Sequence, residues 1–138
     1  MITLKSFYVG TTADIDLINI GHDVRSFIRE TKLDSGAVTV LSRLSGAALV
    51  VLPIEGKAAA DLRASLKQEF ARSLPASLRP LWPASLTIPI EKGRFIFEPW
   101  QDLFLLDYEP SAKRREVVVQ LASVEPEPQT GPQQRGKR

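Results

Sequence analysis

Apolar and polar residues alternate at the start of the chain. Ile2, Leu4, Ser6 and Tyr8 fall on one side and Thr3, Lys5, Phe7 and Val9 on the other, a strand with two partly covered faces. Gly10 through Ala13 read as a turn. Asp14 to Ile20 then carries Ile15, Leu17, Ile18 and Ile20, which predicts a second strand pairing back on the first. Val24, Phe27, Ile28 and Thr31 recur at helical spacing, so a helix of about two to three turns is expected from around His22 to Thr31. Asp34, Ser35 and Gly36 end it with turn chemistry.

Ala37 to Ser42 and Ala47 to Ile54 are apolar and rich in β-branched residues, and the pattern leaves open two buried strands or one bent strand. Lys57 to Ser73 is a clear amphipathic helix. Ala58, Leu62, Leu66 and Phe70 recur every fourth residue, while Asp61, Arg63, Lys67, Gln68 and Arg72 occupy other faces. Pro75, Pro80 and Pro83 interrupt regular structure. Ser85–Ile90, Arg94–Glu98, Asp102–Tyr108 and Arg115–Ala122 follow as four strands, and the short links Glu91-Lys92-Gly93 and Glu109 to Lys113 predict an antiparallel meander. One domain is expected over residues 1–123. Residues 124–138 are rich in Pro, Gln and basic residues with no apolar anchor, so they are expected to form a disordered tail.

Composition narrows the chemistry. The chain has 138 residues, 43% of them hydrophobic, enough for a core without disulfides or metal. Cysteine is absent and histidine occurs once, which excludes thiolate metal sites and a cysteine nucleophile. No stretch reaches the roughly 18–20 apolar residues of a spanning helix and the N-terminus lacks a signal-peptide pattern, so a cytoplasmic protein is expected. Although the sequence pI is about 9.1, 18 basic residues oppose 16 acidic ones, and part of the excess sits at Arg135, Lys137 and Arg138. Nucleic-acid binding needs a concentrated basic stripe, which the body of the chain lacks.

Three segments carry a family resemblance: Ser85-Leu86-Thr87-Ile88-Pro89-Ile90-Glu91-Lys92-Gly93-Arg94, then Trp100-Gln101-Asp102-Leu103-Phe104-Leu105, then Arg114-Arg115-Glu116-Val117-Val118-Val119. In this order and spacing they resemble the C-terminal signature of the YjbQ-like family. Asp16-Leu17-Ile18-Asn19-Ile20 and Asp23-Val24 resemble its entry to the first helix. The resemblance spans about Ile2 to Leu121 and implies an α+β fold of two packed, mainly antiparallel sheets, sandwich-like, with two helices. It also implies a homotrimer whose sheets meet around a threefold axis and, in some members, weak thiamine-phosphate synthase activity. Typical members build their site from an H-T-T-A or H-T-S-A motif, an N-E pair and a loop bearing histidines before a K-S-S-L helix. Here Leu44-Ser45-Gly46-Ala47 stands at the histidine motif, Leu52-Pro53 near the N-E pair, and Glu98-Pro99 in place of the G-T before Trp100. The histidine-bearing loop between Phe70 and Ser85 is missing. A leucine can neither ligate nor titrate, so no catalytic residue, metal or cofactor is expected.

The remaining candidates are binding residues. Arg94, Arg114 and Arg115 suit an anion, since guanidinium grips phosphate bidentately, although basic hairpin residues also keep strand edges unpaired. Trp100 and Gln101 are candidates for the cleft, as a flat apolar wall and a polar amide, with Trp100 preferred as a core or trimer-interface aromatic. With Glu98 they give the candidate set Arg94, Glu98, Trp100, Gln101 and Arg115. His22 reads as an exposed first-turn residue, Asp14 and Asp16 as a solvated strand face, and Ser45 as lacking a base to activate it. Lys57, Arg63 and Lys67 read as the wet face of a helix.

The leading expectation is a non-catalytic, trimeric scaffold binding a partner or a small anion. The alternative is a thiamine-phosphate synthase-like or phosphate-ester-binding enzyme whose site is remodelled around Arg94, Glu98, Gln101 and Arg115. A nucleic-acid module rests on the basic tail alone and ranks last. Self-association also follows physically, because apolar strands at Ala37 to Val40 and Ala47 to Ile54 need cover that two short helices supply sparingly.

Overall fold

The computed structural model describes residues 1–12, 16–44, 46–71, 83–109 and 114–124. The expectations for Asp14, Ser45, Arg72, Pro75, Pro80, the side chains of Ala58 and Phe70, and the tail from Glu125 onward lie outside the described residues. The elements are β1 (Ile2–Gly10), β2 (Asp16–Asn19), α1 (Gly21–Thr31), β3 (Gly36–Ser42), β4 (Ala47–Pro53), α2 (Lys57–Ala71), β5 (Ser85–Glu91), β6 (Arg94–Phe95), β7 (Gln101–Asp107) and β8 (Arg114–Ser123). They form an antiparallel five-stranded sheet, β1-β8-β3-β5-β6, and an antiparallel three-stranded sheet, β2-β7-β4.

The α+β architecture of two packed sheets and two helices is as expected, but the allocation of strands is not. β2 pairs with β7, Asp16 opposite Asp107, rather than with β1. β7 and β8 lie in different sheets, so the C-terminal half is no meander. The burial patterns give the reason: Asp102 to Asp107 are buried without interruption, as in a central strand covered on both faces. β8 alternates instead, as a strand covered on one face does. β3 and β4 are two separate strands in the two sheets. β6 stops at Phe95, short of the expected Glu98, because the chain there leaves the first sheet to cross to the second.

The core lies between the sheets. Val38, Val40, Ile88, Ile90, Val117, Val119 and Leu121 of the larger sheet meet Ala47, Leu49, Leu103 and Leu105 of the smaller, with Val24 and Ile28 of α1 alongside. α1 thus shares the inner face of the larger sheet, where Phe27 meets Phe7 at 5.9 Å between centroids and Glu30 pairs with Lys5 at 3.0 Å. Lys32, at φ 55°, ends α1 in a left-handed turn, and the Leu33 N–H donates to the Ile28 carbonyl while the Leu33 side chain is buried. α2 covers the far side of the smaller sheet, Leu66 packing with Ala48, Leu106 and Tyr108. Arg63 is half-buried rather than wet: it donates to the Ile54 carbonyl at 3.0 Å and lies over the Phe104 ring.

The outer face of the larger sheet is open. Ile2 (69% exposed), Leu4 (68%) and Tyr8 (52%) stand on it, in register with Ala122, Gln120 and Glu116 of β8, and Leu41 extends it onto β3. Among the described residues no helix is long and apolar enough to cross a membrane.

Candidate functional site

A cleft of about 420 Å³ opens between α1 and the segment running from the β5–β6 hairpin to the start of β7. Arg25 and Arg29 line one wall; Gly93, Arg94, Phe95, Phe97, Glu98, Pro99 and Gln101 line the other.

The α1 wall is anchored from beneath. Asp102 is buried, and its carboxylate accepts from Asn19 Nδ2 at 3.1 Å, from Arg25 at 2.8 Å and from the Leu103 N–H at 2.8 Å. The Asn19 Oδ1 accepts the Gly21 N–H at 2.8 Å, which satisfies the first backbone N–H of α1. Gly21 leaves room here for the Asp102 carboxylate, into which a Cβ at that position would run. A charge-assisted bond to a carboxylate with little water around it fixes the Arg25 guanidinium more firmly than a surface pair would. Arg25 and Arg29, one turn apart, project from the same face of α1.

Backbone geometry aims the opposite wall. Glu91 pairs with Arg94 across a two-residue loop in which Lys92 (φ 54°) and Gly93 (φ 73°) both adopt positive φ, as a type I′ hairpin demands. The Gly93 N–H donates to the Asp34 carbonyl, tying the hairpin to the turn after α1. Beyond it, Phe95 and Phe97 stack with centroids 4.8 Å apart and rings 23° from parallel, and Arg25 lies 5.1 Å from the Phe95 centroid. The Gln101 Oε1 accepts the Glu98 N–H, and the Gln101 N–H donates to the Glu98 carbonyl. With its oxygen occupied, the Gln101 amide has its NH2 left to donate.

Of the five residues the sequence proposed, Arg94, Glu98 and Gln101 line this cleft, while Trp100 and Arg115 do not. Trp100 is 56% exposed, so it is no core aromatic. Arg115 is fully buried: Nε and a terminal nitrogen bind the two Asp107 oxygens at 2.9 and 3.1 Å, and the other terminal nitrogen donates to the Leu44 carbonyl at 3.2 Å. It clamps β8 to β7 instead of meeting solvent. Arg114 lies 4.0 Å from the Tyr8 centroid, on the open sheet face. Sequence reasoning missed Arg25, Arg29, Phe95 and Phe97. Their signals were an i, i+4 pair of arginines on one helix face and an i, i+2 pair of phenylalanines after a hairpin.

The residues at the family's histidine motif do not fit a metal. Leu44, Gly46 and Ala47 offer no ligating side chain, His22 is exposed on α1, and no group of three or more His, Asp or Glu among the described residues is placed to hold an ion.

The family model described as UPF0047 protein YjbQ-like matches residues 5–124. Among solved structures, a YbjQ-like protein of unknown function from Sulfolobus solfataricus superposes with a TM-score of 0.76 at 18% identity, covering 90% of this chain and 99% of that one. An uncharacterised conserved protein of the YjbQ/UPF0047 family from Clostridium acetobutylicum gives 0.72 at 18%, covering 86% and 99%. A conserved hypothetical protein from Thermus thermophilus gives 0.68 at 23%, covering 86% and 99%. No curated protein matches the chain.

Proposed function

Since the chain belongs to the YjbQ-like family, and its cleft is lined by guanidinium and amide groups rather than imidazoles, we propose that it is a non-catalytic cytoplasmic protein that binds a small anion and assembles as a homotrimer. The observation that carries the binding reading is the Arg25–Asp102 anchor. A buried carboxylate orients one cation toward a cleft that Arg29, Arg94 and the free amide of Gln101 also border. Charge-assisted donors arriving from two elements suit a carboxylate or phosphate head, each such bond about twice as strong as a neutral one.

Self-association rests on the open sheet face. Burying a large aliphatic or aromatic side chain is worth ~1.5–3 kcal/mol, and Ile2, Leu4 and Tyr8 each keep more than half of their surface exposed. The polar members beside them, Ser6, Thr39, Thr87 and Gln120, are uncharged. Glu116 is engaged by Arg43 at 3.1 Å. Arg114, held over the Tyr8 ring, is the charge on this face that no ion pair among the described residues engages, so a neighbouring subunit covering the face must meet it.

The test is a thermal-shift titration at low salt with inorganic phosphate and, separately, with zinc. A ligand at 100 times its Kd stabilises by about 2.7 kcal/mol, or roughly 5–10 °C in a chain of this size. Phosphate is expected to raise Tm in the parent and not in an Arg25→Ala/Arg94→Ala variant, with no rise from zinc. A zinc-dependent rise, or none with any anion, overturns the reading.

The meeting of Arg94, Glu98 and Gln101 in one cleft favours a second reading, a phosphate-ester enzyme with a remodelled site and Glu98 as its base. Phosphate release from an aryl phosphate by the parent and not by Glu98→Gln would establish it.

A further inference from the structure

We infer that the cleft's ligand is an aromatic anion, a flat ring bearing a carboxylate or phosphate. This rests on the anion-binding reading above and adds the nature of the ligand's body. Recognition of a bare inorganic anion needs donors only. Here the donors are set beside an aromatic stack: the Arg25 guanidinium over Phe95, and Phe97 stacked on Phe95, both rings partly buried on the core and partly open along the cleft wall. Two partly exposed phenylalanines in a groove rimmed by arginines leave apolar surface in contact with water that a ligand ring would cover. Ring pairs favour the offset and tilted arrangements already present, and a guanidinium plane stacks on an added ring as readily as on Phe95.

Position supports the same assignment. Arg29 and Arg94 border the cleft on opposite walls, and no ion pair among the described residues engages Arg94. They hold the charged head at the rim, with the Gln101 NH2 as a further donor. The ring then extends the Phe95–Phe97 stack. Glu98, the one carboxylate among the described lining residues, is exposed at the rim. It disfavours a second anionic group on the ligand and accepts from a hydroxyl or amine substituent.

Isothermal titration of the full chain at low salt with inorganic phosphate, phenyl phosphate, benzoate and cyclohexanecarboxylate tests this. Phenyl phosphate is expected to bind about tenfold or more tighter than inorganic phosphate, and benzoate several-fold tighter than its saturated counterpart. The phosphate and carboxylate arms identify the head. Phe97→Leu should erase the preference for phenyl phosphate over inorganic phosphate. Phe95→Leu should do the same, and circular dichroism checks the fold of both variants because Phe95 and Phe97 both pack on the core. Equal binding of phenyl phosphate and inorganic phosphate, or of benzoate and cyclohexanecarboxylate, refutes the aromatic assignment and leaves the anion site standing. Failure of every anion to bind refutes both.

Discussion

Replacing Arg115 with leucine should cost this fold more than any ordinary surface change. Arg115 and Asp107 are both fully buried, so the substitution leaves a carboxylate in the dry interior with the Glu109 N–H, at 2.9 Å, as its remaining partner among the described residues. Breaking a buried pair on one side typically costs about 3–5 kcal/mol, because the stranded charge keeps its desolvation penalty and loses its compensation. The same change frees the Leu44 carbonyl that Arg115 holds at 3.2 Å. At roughly 2–4 °C per kcal/mol for a chain of this size, Tm should fall by about 6–20 °C. Asp107→Asn should cost a similar amount by stranding the guanidinium. The double variant Asp107→Leu/Arg115→Met removes both penalties and should recover most of the loss. A cycle of urea unfolding curves over Asp107→Leu, Arg115→Met and their double variant, followed by circular dichroism at one fixed protein concentration, gives the coupling energy. A loss below about 1 kcal/mol for Arg115→Leu, or a double variant no better than the singles, would refute the idea that an uncompensated charge sets the cost.

Gly21→Ala should lower stability by about 2 kcal/mol, because its methyl displaces the Asp102 carboxylate and unmakes the bonds to Asn19, Arg25 and Leu103. The urea midpoint reads the stability, and a phosphate titration on the folded variant should show weakened binding as Arg25 loses its anchor. Leu4→Glu on the open sheet face should turn the assembly into a monomer with unchanged circular dichroism. Light scattering checks this, and a parent that is already monomeric would count against the trimer.

The extent to which these features can be read from the chain depends on whether they are local. The first helix is legible because Val24, Phe27 and Ile28 repeat with its period, and the β5–β6 hairpin because Lys92-Gly93 suits a turn with two positive φ angles. Sheet membership is a non-local property. Nothing within Asp16–Asn19 states that its partner is β7, and a short link such as 109–113 fits a hairpin as well as a crossing between sheets. Arg115 was misread for a related reason: adjacent to Arg114 in a basic turn, it looks solvated, and contacts outside that turn, to Asp107 and the Leu44 carbonyl, help make its burial tolerable. Among the cleft-lining residues, Arg94 is visible in the sequence as a basic residue of a hairpin, and Gln101 through the family motif around Trp100. Arg25 and Arg29 were missed because two arginines on an amphipathic helix look like a solvated face until the fold sets another element opposite them.

The bond from Gly93 to Asp34 gives the cleft a fixed gauge. It joins the hairpin that carries Arg94 to the turn that closes α1, the helix that carries Arg25 and Arg29, so main-chain atoms set the spacing between the cationic walls before anything enters. A visitor of matching width pays little to order the receptor. One of a different width must be accommodated along Phe97 to Pro99, where the chain has left one sheet and not yet joined the other, so changes in that stretch would alter which visitor fits while the charged frame stays as it is.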